Sequence, residues 1–178
     1  FPQDGFIPIY WGEEITTELK INEFLANNSE IVVDNYDEYD DWTEITNISN
    51  EPFLLDGYFL SDKSNNLSKW QFPEENIIIE PNGFLLVWCD DDEEQEGLHT
   101  NFKLNGNGEF IVLTHPDGTT ILDSISFGEQ ESDVSMGRSF DGTGDWMLFS
   151  QPTPGASNNF FSCLPGDITC DGITDILD

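Results

Sequence analysis

The stretch Gly83-Phe-Leu-Leu-Val-Trp-Cys-Asp-Asp-Asp-Glu-Glu-Gln-Glu-Gly-Leu-His-Thr-Asn-Phe-Lys-Leu-Asn-Gly-Asn-Gly-Glu109 decides the fold. Its apolar start, Phe84 to Trp88, predicts a strand that is covered on both faces of a sheet. The run ends before Asp90, and six of the seven residues from Asp90 to Glu96 are acidic. A Gly-rich turn at 105–108 then predicts a second strand, from Glu109 to His115. We therefore expect a buried strand that leads directly into a dense anionic loop.

The composition is that of a folded protein with one domain of ordinary size and short appendages. The chain has 178 residues, including 14 Phe, 5 Trp and 4 Tyr, which is enough apolar material for one core. It is not the composition of a disordered acidic tail. No stretch approaches the roughly 20 apolar residues of a membrane span, so we expect no membrane insertion.

The charge balance excludes several partners. The chain has 36 acidic and 5 basic residues, for a net charge of −31. It has too few cations to displace the counterions of phosphates, so we expect it to bind no nucleic acid. Divalent cations and basic partners are favoured instead. The alternative is that the charge only keeps the protein solvated, as in salt-adapted proteins.

Strand patterns recur every 8 to 15 residues, and no segment has a helical period longer than two turns. This spacing is typical of an antiparallel β-sandwich, which is an all-β fold. The run from Phe53 to Ser61 predicts one strand with Gly57 at a bulge. The further predicted strands and short apolar segments are 19–26, 42–48, 70–72, 76–79, 84–88, 110–114, 119–127, 134–140 and 146–149.

The domain boundaries follow from these patterns. Residues 1–17 predict an added edge strand or a linker, and Pro8 argues against a central strand. The sandwich is expected to span 18–158, with 151–158 as its polar exit. A linker at 159–165 and a separate acidic segment at 166–178 follow.

Eight short blocks within 18–158 carry a resemblance to a known family. They are 21–24 (INEF), 39–45 (YDDWTEI), 55–62 (LDGYFLSD), 69–72 (KWQF), 98–104 (LHTNFKL), 127–130 (FGEQ), 133–138 (DVSMGR) and 152–158 (PTPGASN). In this order they resemble a bacterial lamin tail domain. The resemblance implies an immunoglobulin-like β-sandwich that is not an enzyme, in a secreted or cell-surface bacterial protein.

Residues 166–178 resemble the first calcium loop of a dockerin, which is an EF-hand-like loop. Calcium prefers about 6–8 oxygen ligands, and Gly172 supplies the sharp turn that such a loop needs. The resemblance covers one loop only, so a docking role is not carried over. The implied ligands are Asp167, Thr169, Asp171, the carbonyl of Ile173, Asp175 and Asp178.

Three cysteines suggest one disulfide. Cys163 and Cys170 are close enough in sequence to pair, which would fit an oxidising compartment. Cys89 ends the predicted buried strand, so we expect it to be a buried thiol.

Two acidic clusters are candidates for calcium ligands at one end of the sandwich, because clustered carboxylates repel one another unless water or a cation compensates. The alternatives are solvated loops, or a role for Asp40 and Asp41 in capping a turn or pairing with Lys or Arg138. We expect His99 and Arg138 to be structural. The candidate ligands are Asp90, Asp91, Asp92 and Glu93 in one cluster, and Asp37, Asp40 and Asp41 in the other.

The sequence contains no recognisable catalytic motif, so we expect no enzymatic activity. The predicted function is that of a structural or adhesive module that binds calcium and protein partners, or assembles with itself, at the cell surface. One alternative is glycan binding through Tyr36 and Tyr39. Another is an extracellular polymer in which Phe6 to Trp11 adds to a neighbour's sheet edge.

Overall fold

The structure is a computed structural model, and it describes residues 18–158. In this range all regular secondary structure is β, and no helix could span a membrane. The N-terminal segment 1–17, the linker 159–165 and the predicted calcium loop 166–178 lie outside the described residues. The strands are β1 (Leu19–Leu25), β2 (Trp42–Asn47), β3 (Phe53–Leu54), β4 (Phe59–Ser61), β5 (Trp70–Gln71), β6 (Ile78–Ile79), β7 (Phe84–Trp88), β8 (Phe110–Thr114), β9 (Ile121–Ser126), β10 (Ser135–Phe140) and β11 (Thr143–Phe149).

Two antiparallel sheets enclose the core. The larger sheet has the order β11-β10-β1-β2-β7, and the other has the order β5-β4-β8-β9. A small sheet of β3 and β6 accompanies them. Ile21 and Phe24 of β1 belong to the same buried cluster as Leu60 of β4 and Ile111 and Leu113 of β8. Burial of such side chains contributes roughly 1.5–3 kcal/mol each. The predicted all-β antiparallel sandwich is confirmed.

A register shift in β1 explains why its apolar pattern is irregular. The pairing of β1 with β2 shifts between Ile21 and Glu23. Such an irregularity lets the strand change which side chains it directs to the core. As a result Ile21 and Phe24 both join the core cluster, although their spacing does not fit a strict period of two.

The apolar strand β7 is an edge strand, and the prediction of a strand buried on both faces is wrong. The chain passes to the other sheet before β8 begins, so no strand among residues 18–158 pairs with the outer side of β7. Four of its five side chains are only partly buried: Phe84, Leu85, Leu86 and Trp88. Loop backbone covers part of this edge: the Trp88 N–H donates to the Leu98 carbonyl at 2.8 Å. An apolar run does not distinguish a central strand from an edge that a loop covers.

The predicted strand from Phe53 to Ser61 is two short strands, β3 and β4, and the predicted bulge at Gly57 is wrong. Gly57 has φ +79° and lies in a turn. This left-handed conformation suits glycine and does not occur in a regular strand. The Asp56 carboxylate stabilises the turn by accepting hydrogen bonds from the N–H groups of Asn76 and Ile77, at 2.9 and 2.7 Å.

The polar segment 151–158 packs on the larger sheet and buries two glutamates. The Thr153 hydroxyl donates to Glu23 Oε2 at 2.6 Å, and the Gly155 N–H donates to Glu44 Oε2 at 2.6 Å. The buried Asn158 amide donates to the carbonyls of Asn22 and Arg138, each at 3.0 Å. Burial raises the pKa of Glu44 to about 8 and also raises the pKa of Glu23, and the hydrogen bonds only partly offset it. The segment is therefore part of the domain, although it contains little apolar surface.

Candidate functional site

The two acidic loops lie against each other. Gln95 Nε2 donates to Glu38 Oε2 at 2.8 Å, and the Glu96 N–H donates to the Tyr36 hydroxyl at 2.7 Å. The Tyr36 ring also packs edge-on against the His99 ring, with the centroids 6.1 Å apart. Residues 34–41 and 90–99 therefore form one surface, which we call the acidic end.

Asp34 organises the first loop. Its Oδ1 accepts hydrogen bonds from the N–H groups of Tyr36 and Glu38, both at 2.8 Å. The Asp34 N–H donates to the Glu38 carbonyl at 3.0 Å, and Asp37 at the tip has φ +63°. Asp34 is only 7% exposed, and its Oδ2 is buried without a hydrogen-bond partner among the described residues. One oxygen thus fixes the loop, while the other remains unsatisfied.

Asp90 and His99 form a buried pair behind this loop. His99 Nδ1 lies 2.5 Å from Asp90 Oδ2, and Asp90 Oδ1 accepts the Asp92 N–H at 3.2 Å. The His99 ring stacks on Trp88, with 6.5 Å between centroids, and the residue is 3% exposed. Its Nε2 is buried without a partner in the described part of the chain. The predicted hydrogen-bonding role of His99 is confirmed.

Atoms that could ligate a metal ion converge from the two loops. One such atom from each of Asp34, Asp90 and His99 lies within 4.8 Å of the other two. The same distance limit holds for one carboxylate oxygen each of Asp34, Glu38 and Asp40. Asp40 Oδ2 is also buried without a partner among residues 18–158. Burial, followed by repulsion from Asp90 and Asp34, raises the pKa of Asp40. Asp34 is common to both sets.

The structure brings only some of the predicted ligands of the acidic loops close enough together to share a metal ion. Asp90 and Asp40 enter the two converging sets. Asp41 accepts the Asn28 N–H at 3.3 Å instead, and burial raises its pKa to about 6. Calcium binding by any of these residues stays a prediction. The others lie outside the converging sets: Asp37 and Asp91 at exposed positions with positive φ, Asp92 accepting from Gln95, and Glu93 exposed.

Sequence reasoning missed Asp34 and Glu38 as members of the site. Asp34 precedes the cluster that the sequence singled out, and its position depends on hydrogen bonds within the loop. An aspartate that begins a turn and accepts N–H groups two and four residues later is a local signal that could have identified it.

Arg138 has the structural role that the sequence predicts, with a partner other than Asp40 or Asp41. Its Nη2 donates to both Asp123 oxygens at 3.0 and 2.8 Å, and its Nε donates to the Ile21 carbonyl at 2.9 Å. The guanidinium also lies 4.7 Å from the centre of the Trp146 ring. It therefore links the two sheets and does not neutralise the acidic end.

A polar groove of about 450 Å³ borders the acidic end. Trp70 and His99 contribute to its lining but are buried, so the groove presents no broad aromatic face to a sugar. Tyr36 and Tyr39 are exposed at the loop, and glycan binding through them stays a prediction. Cys89, at the root of the second loop, is a buried free thiol as predicted, and burial raises its pKa.

The ligands predicted for the tail loop lie outside the described residues and stay predictions, as does the Cys163–Cys170 disulfide. These ligands are Asp167, Thr169, Asp171, Ile173, Asp175 and Asp178.

Comparison with known families agrees with this β-sandwich. A family model of the lamin tail domain matches residues 16–129, which is more than half of the chain. The chain belongs to the lamin tail domain family. Lamin tail domains have an immunoglobulin-like fold and are structural domains that mediate protein interactions. No curated protein matches the sequence. The sandwich continues beyond residue 129, because β10 pairs with β1 and β11 pairs with β10.

Proposed function

We propose that this lamin tail domain is a non-catalytic structural and adhesive module of a secreted or cell-surface bacterial protein. Its task would be to hold a basic protein partner. The family supports a protein-interaction role, and the observation that carries the proposal is the open edge of the larger sheet at β11. An added strand from a partner would bond to this edge through its backbone.

Among residues 18–158, strand β11 is the more open of the two edges of the larger sheet. No further strand pairs with β11 among residues 18–158. Met147 and Leu148 are 51% and 62% exposed, which is unusual for large apolar side chains on a strand. The opposite edge, β7, is partly covered by the backbone of Leu98 and Thr100. An unpaired, apolar edge favours addition of another strand.

The charge of the domain favours a basic partner over a second copy. The net charge of the full chain is −31, and two of its five cations, Lys69 and Arg138, already pair with Asp62 and Asp123. Two copies would therefore repel each other. An extended segment with alternating basic and apolar residues would match both the charge and the strand edge.

The test measures binding of a synthetic peptide of alternating Lys and Val to the full chain, with fluorescence anisotropy of the labelled peptide as the readout at low and high salt. We expect binding that weakens with salt and that Leu148→Lys reduces about tenfold, because the variant adds a cation and removes apolar contact. The matched control is Ile121→Lys on β9, an apolar position at the edge of the other sheet that is 48% exposed, against 62% for Leu148. No binding, or equal loss in both variants, would contradict the proposal.

The same proposal includes a calcium ion in the predicted loop 166–178 and an extracellular location. Asp171→Asn is expected to remove one calcium equivalent from a calorimetric titration of the full chain. A thiol count of the protein purified from its native source is expected to find Cys163 and Cys170 oxidised. A titration unaffected by Asp171→Asn contradicts the calcium assignment, and free thiols at both positions contradict the extracellular one.

A further inference from the structure

We propose that the acidic end binds one hard divalent cation, best matched by calcium, through the carboxylates of Asp34, Glu38 and Asp40. The buried pair of Asp90 and His99 would form the wall behind the ion. This site lies within the sandwich domain, and it depends neither on the tail loop nor on the proposed partner.

The spacing of the carboxylates fits a single ion. Calcium lies about 2.3–2.6 Å from its oxygen ligands, so two ligands of one ion are at most about 5 Å apart. One oxygen each of Asp34, Glu38 and Asp40 satisfies this limit, because all three lie within 4.8 Å of one another. The hydrogen bonds that Asp34 Oδ1 accepts from its own loop hold this arrangement in place.

Two unsatisfied oxygens point independently to a cation site. Asp34 Oδ2 and Asp40 Oδ2 are buried and accept no hydrogen bond in the described part of the chain. Buried carboxylate oxygens ordinarily have a donor or a metal ion. None of the ion pairs found among residues 18–158 involves Asp34, Glu38 or Asp40; Lys103 attracts the Asp40 carboxylate from a greater distance. A cation at this point would satisfy both oxygens and reduce the repulsion between the carboxylates.

The three carboxylate ligands favour a hard cation. Three carboxylates, with water to complete the shell, suit calcium. The negative charge of Asp90 adds to the attraction from behind. His99 Nδ1 already bonds Asp90, and this hydrogen bond orients the wall. His99 Nε2 is buried without a partner among the described residues, and a site that used this nitrogen would favour manganese or zinc instead.

The test uses the full chain with Asp171→Asn, which removes a central ligand of the predicted tail loop, after treatment with a chelator. Calcium chloride is titrated by calorimetry into this parent and into the parent with Asp40→Asn. The matched control is Asp37→Asn, which removes a carboxylate from the same loop at a position with φ +63°, a conformation that Asn tolerates. We expect one calcium per chain, about tenfold or greater weakening by Asp40→Asn, and a change of less than about twofold by Asp37→Asn.

Thermal melting of the same proteins separates ligation from simple charge relief. In chelator, Asp40→Asn should melt above the parent, because it removes a repelling carboxylate. In saturating calcium, it should melt below the parent, because only the parent gains stability from the ion. Absence of calcium binding in the Asp171→Asn parent, or equal weakening by Asp37→Asn and Asp40→Asn, would overturn the proposal. The proposal would also be overturned if manganese bound at least tenfold more tightly than calcium and if His99→Gln abolished this manganese binding.

Discussion

Raising the pH from about 6 to about 8 should destabilise this domain by about 2 kcal/mol through Glu44 alone. Glu44 lies in β2 under the segment 151–158, with Oε1 accepting from Asn22 Nδ2 at 2.9 Å and Oε2 accepting from the Gly155 N–H. Burial raises its pKa to about 8 from a usual 4.5. The folded protein must therefore ionise a buried carboxyl as the pH rises.

The sign follows from proton linkage. Because the folded pKa of Glu44 lies above the unfolded pKa, the folded state binds the proton more tightly. Its stabilising contribution is complete below about pH 4.5 and is lost as the pH rises through about 8. One pKa unit is worth about 1.4 kcal/mol. The rise from pH 6 to pH 8, up to the folded pKa of Glu44, therefore costs about 2 kcal/mol of the free energy of unfolding through this residue. The raised pKa of Glu23 acts in the same direction.

Urea unfolding in a chelating buffer measures this effect at a series of pH values. Glu44→Gln should lower stability at pH 6, because the amide can present only one acceptor to two donors, but it should remove about 2 kcal/mol of the pH dependence. The control is Glu129→Gln, at an exposed position, which should leave the pH dependence intact. Equal pH dependence in the wild type and in Glu44→Gln would refute this account of the buried carboxyl.

Two further predictions concern packing. Gly108→Ala should destabilise the domain by more than about 1 kcal/mol in urea unfolding, because the φ of Gly108 is +107° and a Cβ would lie 2.6 Å from a backbone carbonyl oxygen. The control is Gly128→Ala, where a Cβ meets nothing within 4 Å. Equal destabilisation by the two variants would contradict the structure. Cys89 is buried and its pKa is raised, so it should react with a thiol reagent at least about 100-fold more slowly in the native protein than in denaturant. Rapid labelling of Cys89 in the native protein would show that solvent reaches the thiol at the end of β7.

The overall fold could be predicted because strand and turn patterns are local. The antiparallel sandwich and most strand positions follow from apolar alternation and turn residues. The placement of β7 at an edge could not be predicted, because strand order depends on contacts between distant segments. The turn at Gly57 was missed for a different reason: a glycine within an apolar run fits a bulge and a turn equally well.

The acidic end could be predicted only in part. The density of carboxylates identified Asp90 and Asp40, but the sequence alone does not tell which acids are solvated and which are buried. Asp34 stands out in the structure through its hydrogen bonds within the loop and through an oxygen that lies within 4.8 Å of atoms of Asp90 and His99 in the second loop. The burial of Glu23 and Glu44 was also hidden, because the segment that covers them is polar and its hydrogen bonds join residues more than 100 positions apart.

Amide hydrogen exchange of the full chain, with and without calcium, would show most directly whether the acidic end holds a cation. Bound calcium should slow exchange in residues 34–41 and in 90–99, since it would fix both loops against each other. The amides of the β-strand core should change little. Unchanged exchange in both loops at saturating calcium would show that the acidic end is a solvated surface and not a cation site.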